Sequence, residues 1–186
     1  VIPKRDYADK RLIDTSDEKF QNSPGLQRWA AVENLKIAAQ AYNEVGSIKE
    51  LEQKIAATAA TGKEAKQTVR KLENRMKDLA EIIKYAEQYK ANKSYNVAYK
   101  KSKNPDAYFR KHESQIILYG GARRMLEQAG ISLKGLNIDK LKAEYQELTA
   151  QKKELTATYK NCDKELKSLN RKLENLNQYL GRTEPP

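Results

Sequence analysis

The sequence predicts an all-α protein: an elongated, long antiparallel coiled-coil hairpin with a small helical head and an N-terminal packing helix. Three observations lead there. Charged residues make up 33% of the 186 and the hydrophobic set 39%, with only 8 Gly and 5 Pro, the composition of long, solvent-washed helices. Apolar residues recur at alternating intervals of three and four, the period of a helix seam rather than of a strand. Two such runs, 48–90 and 138–180, have the same span, so a chain reversal between them lets both pair along their whole length.

Residues 1–22 are polar and irregular, with five basic and five acidic side chains, and they read as a linker or an arm lying on other elements. A start at Val1 rather than Met predicts a fragment of a longer protein. Ser23-Pro24 opens a first helix over 23–46, a capping hydroxyl followed by proline at the first helical position. Trp29, Val32, Leu35, Ala39 and Tyr42 share one broad face of it, and Gly46 ends it. Ser47 and Glu50 have capping-box spacing for the next helix, over 47–92. Its seam is Ile48, Leu51, Ile55, Thr58, Gly62, Ala65, Val69, Leu72, Met76, Leu79, Ile83, Ala86 and Lys90. The small residues of AATAATG (56–62) let a partner helix approach closely. Gly62 costs about 1 kcal/mol against alanine in a helix interior, which predicts a local bend.

The head spans 93–136. Residues 93–102 continue or restart a helix, and Asn104-Pro105 is a second cap-plus-proline start. Tyr108, Ile116, Tyr119, Ala122, Met125, Leu126 and Ala129 follow at helical spacing, with a kink expected at Gly120-Gly121 and an end at Gly130. After the loop ISLKGLN, Asn137 caps the last helix, over 137–181. Its seam is Leu141, Tyr145, Leu148, Lys152, Leu155, Tyr159, Cys162, Leu166, Leu169, Leu173, Leu176 and Leu180, and residues 182–186 form a tail. Antiparallel pairing sets residue 48 near 180 and 90 near 138, with Cys162, Leu166 and Leu169 facing the small 56–62 patch. A parallel homodimer built on either seam is the competing arrangement.

The net charge is +11 with a pI near 9.5, which points to a polyanionic partner, nucleic acid before an anionic membrane surface. The excess is concentrated. Residues 93–136 carry nine basic and three acidic side chains, so the head holds +6 of the +11. Lys93, Lys100, Lys101, Lys103, Arg110 and Lys111 cluster with Tyr95, Tyr99, Tyr108 and Phe109, and Asp106 is the one acid among them. Lysine and arginine displace counterions along phosphates, and aromatic faces stack on unpaired bases. The six basic residues with Tyr95 and Tyr99 are therefore the candidate DNA-binding set. For the rings a packing role inside the head is the favoured reading and base stacking the alternative; for the charges the alternative is a solvated rim or a dock for an acidic protein.

Catalytic signatures are missing from the sequence. His112 is the sole histidine, so a His-based metal site or triad has at most one ring to build on. Cys162, the single cysteine, sits on a heptad seam as a small hydrophobe, excludes an internal disulfide and fits a reducing cytoplasm. No phosphate-binding loop of the G-x-x-x-x-G-K-[ST] type occurs, and no apolar run approaches the roughly 18 residues of a membrane span. The expectation is a fragment without catalytic residue, metal or cofactor.

The run YNVAYKKSKNPDAYFRKHESQIILYGGARRMLEQAG, then LKAEYQELTAQKKELTATYKNCDKELKSLNRKLENLNQYLG, resembles the C-terminal region of relaxase/mobilisation proteins of Gram-positive conjugative elements. GLQRWAAVENLKIAAQAYNEVGSIKELEQKI is similar to the tryptophan-bearing helix that precedes the coiled coil there. The resemblance covers about residues 11–181. In that family an N-terminal nuclease domain nicks DNA with a tyrosine nucleophile and a histidine-held metal, and none of those motifs stands in this sequence. The resemblance implies a non-catalytic helical module of a DNA-transfer protein, in the cytoplasm, with transfer-origin DNA and other transfer-complex proteins as partners. A structural coiled-coil interaction module without direct DNA contact is the alternative.

Overall fold

The computed structural model describes residue 7 and residues 10–182; the other residues of the arm and residues 183–186 of the tail lie outside the described residues. Five helices and no strand are present among them: α1 (Glu18–Gln21), α2 (Pro24–Val45), α3 (Ile48–Lys101), α4 (Pro105–Gln128) and α5 (Ile138–Tyr179). The starts follow local chemistry. Ser23 Oγ accepts from the Leu26 amide at 3.4 Å, Ser47 Oγ from Glu50 at 3.2 Å, Asn104 Oδ1 from Ala107 at 3.2 Å and Asn137 Oδ1 from Lys140 at 3.1 Å. Each satisfies an amide that a helix leaves without an internal partner. Gly46 and Gly181 end α2 and α5 at φ of 79° and 64°, a region that costs glycine little. The long helix expected over 47–92 runs without interruption through 93–101 as α3.

The chain divides into two compact units, residues 1–66 with 156–186, and residues 67–155. In the first, Ala38 and Ala41 of α2, Leu51 of α3, and Leu169 and Leu176 of α5 form the core, flanked by Val45, Ile48, Ile55 and Leu173. Here α3 and α5 run antiparallel: Lys54 pairs with Glu165 at 3.3 Å, while Gly62 meets Cys162. A Cβ placed on Gly62 would stand 3.0 Å from the Cys162 Cβ, so glycine permits this approach. Leu169 joins the Leu51 cluster instead of facing the 56–62 patch. Leu180, expected on the seam, is exposed because α5 already ends at Tyr179.

The face of α2 that packs is its alanine side, Ala30, Ile37, Ala38 and Ala41, together with a buried Glu33 held by Lys36 at 2.8 Å. The broad Trp29, Val32, Leu35 and Tyr42 face is about half exposed, between 50% and 52% at each residue. Small side chains bring α2 close to α3 and α5, and the larger apolar ones are left outside. Two described residues of the arm bond to α2: the Tyr7 amide donates to Gln40 Oε1 at 3.0 Å and the Ile13 amide to Asn34 Oδ1 at 2.7 Å. The single turn of α1, capped by Asp17, was not anticipated; it packs on α2 and buries Phe20.

In the second unit, Ile82, Ala86 and Tyr89 of α3 pack on Ala122 and Leu126 of α4, with Ile131, Leu133, Leu136, Ile138 and Leu141 closing over them. Three ion pairs give the antiparallel register of α3 and α5: Glu73–Lys152 at 2.8 Å, Arg75–Glu144 at 2.8 Å and Glu87–Lys142 at 2.6 Å. All are exposed, each contributing roughly 0–1 kcal/mol, so they report the register more than they stabilise it. The expected seam slips at its end. Ile82 and Tyr89 are buried where Ile83 and Lys90 were expected; Ile83 is half-buried and Lys90 exposed, because α4 joins α5 against α3 and widens the buried face.

One expected feature moves. The helix continues through Gly120-Gly121, and the break in α4 falls at His112, at φ −127° and ψ 30°.

Candidate nucleic-acid interface

The corner between α3 and α4 consists of Ser102, Lys103 and Asn104 alone. Ser102 Oγ accepts from the Asn104 amide at 3.2 Å, and Asn104 then caps α4. So short a turn returns α4 directly along α3, and the aromatic residues of the two helices meet. Tyr99 faces Phe109 with ring centroids 5.9 Å apart, Tyr95 faces His112 at 5.2 Å, and Tyr89 stacks on Tyr119 at 5.0 Å and 22°. As α3 positions fall from 99 to 89, α4 positions rise from 109 to 119, which makes an antiparallel ladder of rings. Tyr108 adds a fourth contact, 4.5 Å from the His112 ring. The break at His112 sets that ring against both tyrosines. Aromatic pairs of this kind add about 0.5–1.5 kcal/mol each beyond the area they bury.

Tyr119 shows how close the packing is at the inner end. Burial, and then its hydrogen bond with Tyr89, raises its phenol above the ordinary tyrosine value. Farther out, Tyr95 and Tyr99 are half-buried, each with a ring against a neighbour.

Lys93, Lys100, Lys101, Lys103, Arg110 and Lys111 are all exposed. Among the described residues none of them is held in an ion pair. Lys100 and Lys101 occupy the last turn of α3, where the helix dipole favours positive charge, and Asp106 occupies the first turn of α4. The candidate charges flank one turn of the chain: Lys93 two turns before the end of α3, Lys100 and Lys101 in its last turn, Lys103 in the turn itself, and Arg110 and Lys111 in the second turn of α4.

Beside the ladder lies an open, largely apolar groove of about 410 Å³, lined by Tyr85, Gln88, Ile117, Leu118, Gly121 and Met125. Sequence reasoning missed it. Ile117 and Leu118 are large apolar residues at adjacent positions, and the 3,4 spacing that flagged Ile116 and Tyr119 passes over both. Among the described residues no group of three or more His, Cys, Asp or Glu could hold a metal ion, and no helix is long and apolar enough to cross a membrane. Comparison with protein-family models, curated proteins and solved structures finds no match to this chain.

Proposed function

We propose that this chain is a non-catalytic, DNA-binding helical module whose α3–α4 corner contacts phosphates. The observation that carries the reading is the set of six exposed basic residues, none in an ion pair with a described residue, around a turn of three residues. The resemblance to relaxase C-terminal regions supports a place beside transfer-origin DNA in the cytoplasm, with other transfer proteins as further partners. In this reading the lysines and arginine supply affinity, and Tyr95 and Tyr99, half-buried against His112 and Phe109, offer their remaining exposed surface to unpaired bases.

The test is a titration of fluorescent single- and double-stranded DNA at several salt concentrations. A variant with the six basic residues changed to glutamine runs beside it. Binding should fall steeply with salt, by a logarithmic slope of about 0.9 for each duplex phosphate neutralised, and should be lost in the variant. No affinity at low salt, or affinity that the variant keeps, sinks the proposal. The apolar groove at Ile117 and Leu118 favours the alternative, a protein-interaction module. A protein ligand whose affinity ignores salt and fails on Ile117→Ser would move the function there.

A further inference from the structure

The arm is held by an unusual selection of partners. Gln40 Oε1 of α2 accepts from the Tyr7 amide at 3.0 Å, and Asn175 Nδ2 of α5 donates to the Lys10 carbonyl at 2.8 Å. Asn34 of α2 grips both sides of one residue: its Oδ1 accepts from the Ile13 amide at 2.7 Å and its Nδ2 donates to the Ile13 carbonyl at 3.0 Å. All four bonds go to main-chain atoms. Asn34 presents the donor and acceptor that a neighbouring strand would present, and extended peptides are bound in this way at sheet edges. Asn175 is 2% exposed, and a buried amide is a costly group to leave without a partner.

We propose that the surface between α2 and α5 of this unit is a binding site for extended peptide main chain, which the chain's own arm occupies in cis. Two further observations support exchange. The arm does not fill its site: a space of about 490 Å³ remains beside Leu12, Ile13 and Thr15, bounded by Gln27, Asn34 and Gln178. An incoming peptide with a larger polar side chain there makes contacts that the arm lacks. The arm also has an anchor downstream of the clasp, since Phe20 of α1 is buried at 6% exposure. Tyr7 and residues 10–13 can therefore lift away while α1 stays docked. Because recognition is through the main chain, the site tolerates many sequences, and the tethered arm competes with each. The ligand class is an extended peptide segment of another protein.

The test uses the full chain. Ile13→Pro removes the amide that Asn34 accepts and releases the arm without altering α2 or α5. A fluorescent peptide of residues 7–16 is then titrated by anisotropy, with helicity checked by circular dichroism. The released chain should bind the peptide at least tenfold more tightly than the unaltered chain. Adding Asn34→Ala or Asn175→Ala should remove that gain. A peptide with its Lys10 and Arg11 equivalents changed to glutamate should bind as well as the original, and one with proline in place of Ile13 should not. A released, fully helical chain that does not bind, or that binds equally without Asn34, overturns the proposal. Should Ile13→Pro fail to fold, amide exchange on the unaltered chain decides. The Tyr7 and Ile13 amides must exchange faster than those of α2 and α5; exchange only with the whole unit would mean that the arm never lifts.

Discussion

At Gly62 two effects of similar size oppose one another. Alanine would improve the helix by about 1 kcal/mol, and on an exposed helix face that gain would decide the outcome. Here the new Cβ would stand 3.0 Å from the Cys162 Cβ, an atom fixed to the α5 backbone and unable to swing aside. Overpacking of this kind costs about 1–3 kcal/mol. Gly62→Ala is therefore expected to lower stability by roughly 1 kcal/mol in chemical denaturation. Cys162→Gly should relieve the clash and make the same alanine less harmful, whereas Cys162→Ala, which keeps its Cβ, should not. A stabilised Gly62→Ala would mean that the helices part without cost at this point. The sequence made the close approach legible, since a run of small residues opposite larger ones has few other uses. It could not show that Leu169 packs on Leu51, one turn beyond the patch, because register at that resolution depends on where α2 docks.

Elements were most legible where their signals are local. Ser23-Pro24, Ser47-x-x-Glu50, Asn104-Pro105 and Asn137 each cap a helix through a bond that spans three residues, so nothing distant can override them. The kink in α4 is the opposite case. Gly120-Gly121 weakens a helix by propensity, yet a Cβ at either glycine would meet nothing within 4 Å, and no neighbour forces a bend there. The break falls instead at His112, whose ring lies against Tyr95 of α3 and Tyr108 of α4 itself. The packing side of α2 was hidden for a related reason. A period identifies a face, but which face turns inward depends on whether the neighbours accept bulk or only alanine. His112→Ala removes two of the four ring contacts and should cost about 1–3 kcal/mol, read as a lower melting temperature. The exposed lysines are untouched by this change, so the salt dependence of the proposed DNA binding should survive wherever the variant is folded. A variant as stable as the parent would show that the kink exists without help from the rings.

At the scale of the whole molecule, α3 and α5 are shared by two units, and yet each unit has its own core. One gathers around Leu51, Leu169 and Leu176, the other around Ile82, Ala86, Tyr89, Ala122 and Leu126. Leu51 and Leu126 are both fully buried, so truncating either to alanine should cost about 2–5 kcal/mol by lost transfer and residual cavity. What separates the possibilities is where that cost is felt. Core contacts in each cluster are made by residues of the same unit, and a cavity in one leaves every contact of the other in place. Amide exchange should then lose protection over residues 82–141 in Leu126→Ala while the amides near Leu51 and Leu169 keep theirs, with the reverse pattern in Leu51→Ala. Equal loss throughout in both variants would mean that the continuous backbones of α3 and α5 bind the two cores into one cooperative block. The distinction bears on both proposed sites. The basic corner belongs to the unit of Leu126 and the arm clasp to that of Leu51, so separable cores predict that Leu126→Ala weakens DNA binding and leaves the arm in place. Leu51→Ala should free the arm and spare the DNA affinity.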